Sequence, residues 1–132
     1  MQTYLWIAVG SALGGVARYW CSGVVARLIG ESFPWGTLTV NVAGSFLIGF
    51  IATLTAPDGR LFLGSTARLA LMAGFCGGFT TFSSFSIQTL NLLNDGQYLY
   101  ASGNAGLSVV LCIAAVWAGS IAATGINAMR WT

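Results

Sequence analysis

The sequence contains no histidine, only three acidic residues and only 6% charged residues in total. Soluble domains carry about 25% charged residues, and a chain of 132 residues is too short to hide so much apolar surface in a water-soluble core. Without histidine, a buried pair of acids or a nucleophile beside a base, the chain has no residue set typical of an enzyme. We therefore expect a non-enzymatic protein whose solvent is lipid.

Cysteine and basic residues are also sparse. Cys21, Cys76 and Cys112 lie inside apolar stretches without metal-ligand spacing, so we interpret them as packing residues rather than as a disulfide framework. The basic residues form no patch, which gives no support for a nucleic-acid partner. They are Arg18, Arg27, Arg60, Arg68 and Arg130.

Hydrophobic residues make up 56% of the chain, and the mean hydropathy is +0.80. Four apolar stretches cover residues 4–29, 37–56, 65–93 and 98–129, with turn-forming residues between them. Each is long enough to span a bilayer, which takes about 20 residues in a helix. Lipid offers the backbone no hydrogen-bond partners, so helices are required. The sequence predicts a single domain over residues 1–132, an all-α integral membrane protein with four transmembrane helices.

The acidic residues Glu31, Asp58 and Asp95 all fall in the predicted loops. An even number of spans places both termini on one side of the membrane, together with Arg60, Arg68 and Arg130, and leaves Arg27 on the other side. This difference in positive charge is small, so it sets orientation weakly and permits insertion in both directions.

Small residues recur at four-residue spacing on three of the predicted helices. This spacing lets helices approach each other closely in lipid. The pairs are Gly10 with Gly14 and Gly74 with Gly78, and the last helix continues the pattern with Ala115, Gly119 and Ala123.

Polar residues inside the spans form stripes. Hydroxyl and amide groups donate hydrogen bonds without carrying charge, so a track of them suits a small, strongly hydrated anion that sheds its water in stages. The alternative is that they join neighbouring helices. The stripes are Thr37, Asn41 and Ser45 on the second helix, Thr81, Ser84 and Gln88 on the third, and Asn104, Ser108 and Cys112 on the fourth.

The third helix has an unusual centre, where paired glycines are followed by paired hydroxy residues. This pattern weakens a helix, so we expect a break near its middle. Free carbonyls at a break can bind a hard monovalent cation. The alternative is a glycine-rich packing notch.

Two further features have open interpretations. Phe79, Phe82 and Phe85 recur every three residues, so we expect them to line one helix face. Such an aromatic stripe is typical of a packed core, but it also presents the positive ring edges that stabilise an anion. Arg18 lies within the first stretch, where its side chain either reaches the interface or lines a vestibule that attracts anions.

Three segments resemble the Fluc (CrcB-type) fluoride channels of bacteria. They are residues 14–20 (GGVARYW), 34–46 (PWGTLTVNVAGSF) and 74–86 (GFCGGFTTFSSFS). Chain length and helix number are also similar, so the resemblance covers nearly the whole chain, with the fourth helix the loosest match.

The resemblance implies an antiparallel, dual-topology homodimer in the bacterial inner membrane, surrounded by lipid, with two pores that export fluoride passively. It implies a structural sodium ion at the dimer interface, bound by backbone oxygens of Gly77 and Thr80. The implied vestibule arginine is Arg18. The implied pore residues are Asn41, the aromatic pair Phe82 and Phe85, and Ser83, Ser84 and Ser108 on or near the polar track. From the polar stripes we add Thr81 and Thr37 as candidate pore residues.

This chain differs from the family pattern at several positions. Gln88 stands where many relatives have Glu, Leu111-Cys112 where many have Gly-Ser, and Phe79 where many have Leu. Two other functions remain open. A small multidrug transporter is also a short dual-topology protein, but it needs a carboxylate inside the membrane. A non-transporting assembly subunit would need neither Asn41 nor the aromatic pair.

Overall fold

The structure of the chain, a computed structural model, describes residues 1–129. Arg130, which the charge argument counts with Arg60 and Arg68, lies outside the described residues. Within residues 1–129 the secondary structure consists of helices and turns, without a β-strand. The expectation of an all-α protein is therefore confirmed for the described part of the chain.

The helices begin and end within a few residues of the predicted stretches. Helix α1 covers Gln2–Ile29 and α2 covers Trp35–Leu54. The next stretch comprises α3 (Ser65–Leu69), a π-helix (Ala70–Cys76), α4 (Gly77–Phe79) and α5 (Phe82–Asn94). Helix α6 covers Tyr98–Ala128.

Three helical segments are long and apolar enough to cross a membrane: Trp35–Leu54, Ser65–Asn94 and Tyr98–Ala128. We call Ser65–Asn94 the third span. Helix α1 has 28 residues, ample for a bilayer, but it does not meet the same apolarity criterion. Its sequence includes Arg18 and Arg27 as well as several glycines. The coarse prediction of a membrane-spanning helical protein is confirmed, and the fourth span stays a prediction.

Helices α5 and α6 are joined by a tight turn. The Gln97 amide donates to the Leu92 carbonyl at 2.8 Å, and the Gly96 amide donates to the Leu93 carbonyl at 3.0 Å. These two bonds form a Schellman motif, which satisfies the last carbonyls of a helix. Gly96 has φ of +72°, a conformation that glycine adopts without a steric penalty. Helix α6 therefore turns back directly alongside α5.

Close helix packing depends on the small residues. A side-chain carbon added at Gly14 would collide with the backbone of Phe75, and one added at Gly119 would collide with the backbone of Phe46. Gly14 thus lets α1 approach the π-helix, and Gly119 lets α2 approach α6. The predicted role of small residues in helix contact is confirmed.

The third span breaks at Thr80 and Thr81, whose backbones are extended, with ψ of 159° and 114°. The predicted break near the middle of this helix is confirmed, and of the two residue pairs expected to weaken the helix, the hydroxy pair is the one at which it breaks. Gly77 keeps helical angles, and a side chain at Gly78 would collide with Ser11. Gly78 therefore serves close packing, whereas the β-branched threonines take the extended conformation.

Candidate functional site

A cavity of about 410 Å³ lies at the break in the third span. Its walls come from α2, from both sides of the break and from α6. It brings together residues that the sequence analysis assigned to the pore and to the cation site, and it adds Ser45 and Cys112 from the predicted stripes. The predicted site residues along its wall are Asn41, Gly77, Thr80, Thr81, Phe82, Phe85 and Ser108.

Asn41 holds the broken backbone from α2. Its Nδ2 donates to the Thr81 carbonyl at 2.9 Å, and its Oδ1 accepts from the Thr81 amide at 2.7 Å. An unpaired backbone group in lipid costs several kcal/mol, so this amide satisfies both polar groups of Thr81 at once. A side-chain amide carries two N–H donors, and Asn41 lines the cavity.

Thr81 also caps the helix that follows the break. Its Oγ1 accepts from the Ser84 amide at 3.2 Å and donates to the Ser84 hydroxyl at 3.0 Å. The Ser83 hydroxyl lies 3.3 Å from the same oxygen. Ser83 and Ser84 do not line the cavity themselves, but they contact Thr81, which does. The first turn of α5 adds free amides and the positive end of the helix dipole, so this end of the cavity favours an anion.

Phe82 and Phe85 form a ring pair, with centroids 5.2 Å apart and planes tilted by 53°. Phe82 is 77% exposed in the single chain, while Phe85 is half-buried. Phe79 is buried and stacks on Phe75 instead. The expectation that Phe79, Phe82 and Phe85 share one helix face is wrong, because the extended residues between Phe79 and Phe82 interrupt the helical period.

Ser108 reaches the cavity from α6 and belongs to a hydrogen-bonded chain. Its hydroxyl donates to Asn104 Oδ1 at 3.5 Å, and Asn104 Nδ2 donates to Thr89 Oγ1 at 2.9 Å. The Thr89 hydroxyl in turn donates to the Phe85 carbonyl at 2.8 Å. Sequence reasoning missed Thr89, because a lone threonine outside the predicted stripes gives no signal of its own.

The end of α4 leaves backbone carbonyl oxygens without intrahelical donors. The Cys76 carbonyl accepts from the Thr80 amide at 3.0 Å and from the Thr80 hydroxyl at 2.9 Å. The later carbonyls of a helix that ends at Phe79 have no intrahelical donors. Gly77 is exposed and has no side chain to cover the site. Such oxygens suit a hard cation like sodium, and the described residues contain no group of three or more His, Cys, Asp and Glu side chains that would hold another metal.

A second, larger cavity of about 810 Å³ lies between the end of α1, the start of α2 and the far end of α5. Thr37 and Gln88 line it, so the predicted stripe on α2 divides between two cavities. Gln88 Oε1 is buried there without a hydrogen-bond partner among the described residues. The arginine in its wall is Arg27. Arg18 is half-buried and directly precedes Tyr19, which does line this cavity, so its vestibule role stays a prediction.

Comparison with known proteins identifies the family of this chain. A profile for the family described as CrcB-like protein, Camphor Resistance (CrcB), matches residues 5–120. This chain belongs to the CrcB family. The match includes both sides of the break in the third span and all the residues around the smaller cavity.

Several relatives match over nearly their whole length and carry the name fluoride-specific ion channel FluC. The protein from Opitutus terrae is 61% identical, over 98% of this chain and 98% of its own. The protein from Methylocella silvestris is 58% identical, over 96% of this chain and 97% of its own. The protein from Geobacter sulfurreducens is 51% identical, over 93% of this chain and 98% of its own. The CrcB chain described here is a multi-pass integral membrane protein, as its apolar helices require.

Proposed function

We propose that this CrcB-family chain is a fluoride-specific channel of the bacterial inner membrane, which lets fluoride leave the cytoplasm down its electrochemical gradient. The cavity at the break in the third span carries the proposal. There, Asn41 and Ser108, which carry uncharged donors, line the same cavity as the rings of Phe82 and Phe85. The names of the relatives support a channel and a non-enzymatic function.

The chemistry of this cavity suits fluoride. A fluoride ion gives up strong hydration when it enters the membrane, and hydroxyl and amide donors replace part of it. Ring edges carry positive charge, so they stabilise the anion without binding it too tightly to leave. Conduction requires this compromise between binding and release. A fixed positive charge at the same place would hold the ion for longer.

The acidic residues argue for passive conduction. Glu31, Asp58 and Asp95 all lie in the turns between helices, as predicted. A proton-coupled multidrug transporter needs a carboxylate inside the membrane to exchange a proton for its substrate, and the described spans provide none. The position of the acidic residues outside the spans therefore favours a channel over a proton-coupled transporter.

A second copy of the chain completes the pore in this proposal. In one chain, the smaller cavity opens at the surface, Phe82 is largely exposed, and Gly77 is uncovered. Four helices give too little wall to enclose an aqueous path. An antiparallel partner would place its own break and its own aromatic pair against this face and create two equivalent pores. The small difference in positive charge between the two ends permits both orientations.

Sodium would occupy the centre of that dimer. Backbone oxygens of Gly77 and Thr80 at the end of α4 would bind it, and the partner would supply the same oxygens again. We propose a structural role, in which the cation holds the two breaks together.

Fluoride efflux from proteoliposomes tests the proposed function. Purified protein in vesicles loaded with potassium fluoride should release fluoride to an external electrode when valinomycin carries the compensating potassium. Vesicles loaded with potassium chloride should release almost none of their anion. Equal release of both anions, or no fluoride release, would contradict a fluoride-specific channel, and the absence of release would favour an assembly subunit.

A further inference from the structure

We infer that Asn104, which lines neither cavity, is a positioning residue for the fluoride path and acts through the Ser108 hydroxyl. This inference rests on the proposed function and extends it to a residue that does not touch the ion. Asn104 is only 1% exposed, and an unpaired buried amide is costly. Its burial is explained by the two hydrogen bonds that it makes, one along α6 and one to α5.

The hydrogen bonds around Asn104 run in one direction. The Ser108 hydroxyl donates to Asn104, Asn104 donates to Thr89, and Thr89 donates to the carbonyl of Phe85. These three hydrogen bonds therefore connect the Ser108 hydroxyl, in the α6 wall of the cavity, with the helical turn of α5 that carries the ring of Phe85. Asn104 is the member that crosses from α6 to α5.

The lengths of these bonds differ in an informative way. The bonds from Asn104 to Thr89 and from Thr89 to Phe85 are 2.9 and 2.8 Å, well inside the normal range. The bond from Ser108 to Asn104 is 3.5 Å, at the outer limit. The α5–α6 link is thus firm, while the Ser108 hydrogen is held loosely. After a small rotation, the Ser108 hydroxyl can donate its hydrogen bond to an anion in the cavity. When the anion leaves, the hydroxyl donates to Asn104 again.

Without the Asn104 carbonyl, the Ser108 hydroxyl has another acceptor. Serine in a helix commonly donates to the backbone carbonyl four residues earlier, which here is the carbonyl of residue 104. That acceptor is part of the helix wall, and a bond of normal length to it would withdraw the donor from the cavity. Asn104 thus keeps the Ser108 hydroxyl available to donate to the ion.

Asn104→Leu is the variant that tests this inference, because leucine has the same branched shape as asparagine and removes both polar groups. We expect fluoride efflux per dimer to fall by about fivefold to tenfold, the loss expected for one hydrogen bond, and the ratio of fluoride to chloride efflux to fall with it. Ser108→Ala should lower both quantities similarly. The double variant should be little worse than either single variant, because coupled residues give non-additive effects.

A matched control separates positioning from general stability. A hydrogen bond of 2.8 Å between the hydroxyl oxygens of Thr53 and Ser120 joins α2 to α6. Neither residue lines either of the two cavities described above. Thr53→Val removes this interhelical bond, so it should lower thermal stability in detergent but leave the ratio of fluoride to chloride efflux unchanged.

The outcomes are distinct. If Asn104→Leu only lowers the yield of dimer and leaves efflux per dimer and anion ratio intact, Asn104 is merely structural and the inference is wrong. If the effects of Asn104→Leu and Ser108→Ala add independently, Asn104 does not act through Ser108. If the unaltered chain releases no fluoride, the proposed function fails and the inference fails with it.

Discussion

Asn41 holds Thr81 by two hydrogen bonds, one to each polar group of its backbone, at 2.9 and 2.7 Å. A side chain on α2 thus replaces the hydrogen bonds that the third span gives up at its break. The sequence analysis assigned Asn41 to the ion path, and the structure adds a second role for the same amide. Replacement of Asn41 therefore tests both roles.

Replacement of Asn41 should affect both stability and conduction. Asn41→Leu leaves the amide and carbonyl of Thr81 without partners, so we expect a loss of about 2–4 kcal/mol in the free energy of unfolding. Asn41→Asp keeps the acceptor for the Thr81 amide but puts a carboxylate beside the Thr81 carbonyl and on the anion path. Fluoride efflux should then fall more than stability does. Thermal unfolding in detergent and electrode efflux measure the two effects, and unchanged efflux in Asn41→Asp would remove Asn41 from the pore.

The aromatic pair should be needed for flux but not for the fold. Phe82 is largely exposed in the single chain, so Phe82→Ile should leave the helices intact and lower fluoride efflux by about tenfold or more, as expected when an electrostatic contact with the ion is lost. Phe85→Ile should act in the same direction. Phe79→Leu is the matched control, because Phe79 is buried on the other side of the break. Full efflux from Phe82→Ile dimers would reject the aromatic role.

Neighbouring glycines of α1 should respond very differently to the same substitution. A side-chain carbon at Gly14 collides with the backbone of Phe75, whereas one at Gly15 meets nothing within 4 Å. Gly14→Ala should therefore destabilise the protein by about 1–3 kcal/mol through overpacking. Gly15→Ala should be neutral or slightly stabilising because alanine favours the helix. Thermal unfolding measures the stability of the two variants, and equal stability would contradict the close approach of α1 to the π-helix.

Removal of sodium should weaken the dimer rather than the single chain. Sodium can be replaced by N-methylglucamine, which is too large for the end of α4. The oxygens of Gly77 and Thr80 would then lose the cation that they bind, so the protein should shift towards monomer on size exclusion and fluoride efflux should fall. Restored sodium should reverse both changes. A dimer indifferent to sodium throughout purification and assay would exclude a structural cation at this position.

Much of the architecture follows from the sequence, because apolar length and turn residues determine where membrane helices begin and end. Residues 98–129 were expected as a span, and α6 covers Tyr98–Ala128. The break in the third span is also predicted, from the paired glycines and the paired hydroxy residues, and it lies at the hydroxy pair Thr80 and Thr81. The sequence does not reveal that Gly78 is required for contact with Ser11, because a contact partner on another helix leaves no local pattern.

The candidate site was predictable in part of its membership but not in its connections. The family resemblance gave Asn41 and the aromatic pair, and the cavity brings them together. The prediction that Phe79 shares a helix face with that pair is wrong, because a helical period holds only where the helix is continuous. Thr89 was missed for a different reason, because its importance comes from Asn104 on another helix. Spacing along one helix cannot show such a bond.

The turn at Gly96 has a consequence for regulation. Its two hydrogen bonds fix the reversal between α5 and α6, and the link from Asn104 to Thr89 fastens the same two helices again further along. The walls that carry Phe85 and Ser108 are therefore tied together at two levels along α5 and α6. In the proposed channel, this double link argues against a gate that opens between these two walls, so that ion selectivity rather than gating would protect the membrane potential of the cell.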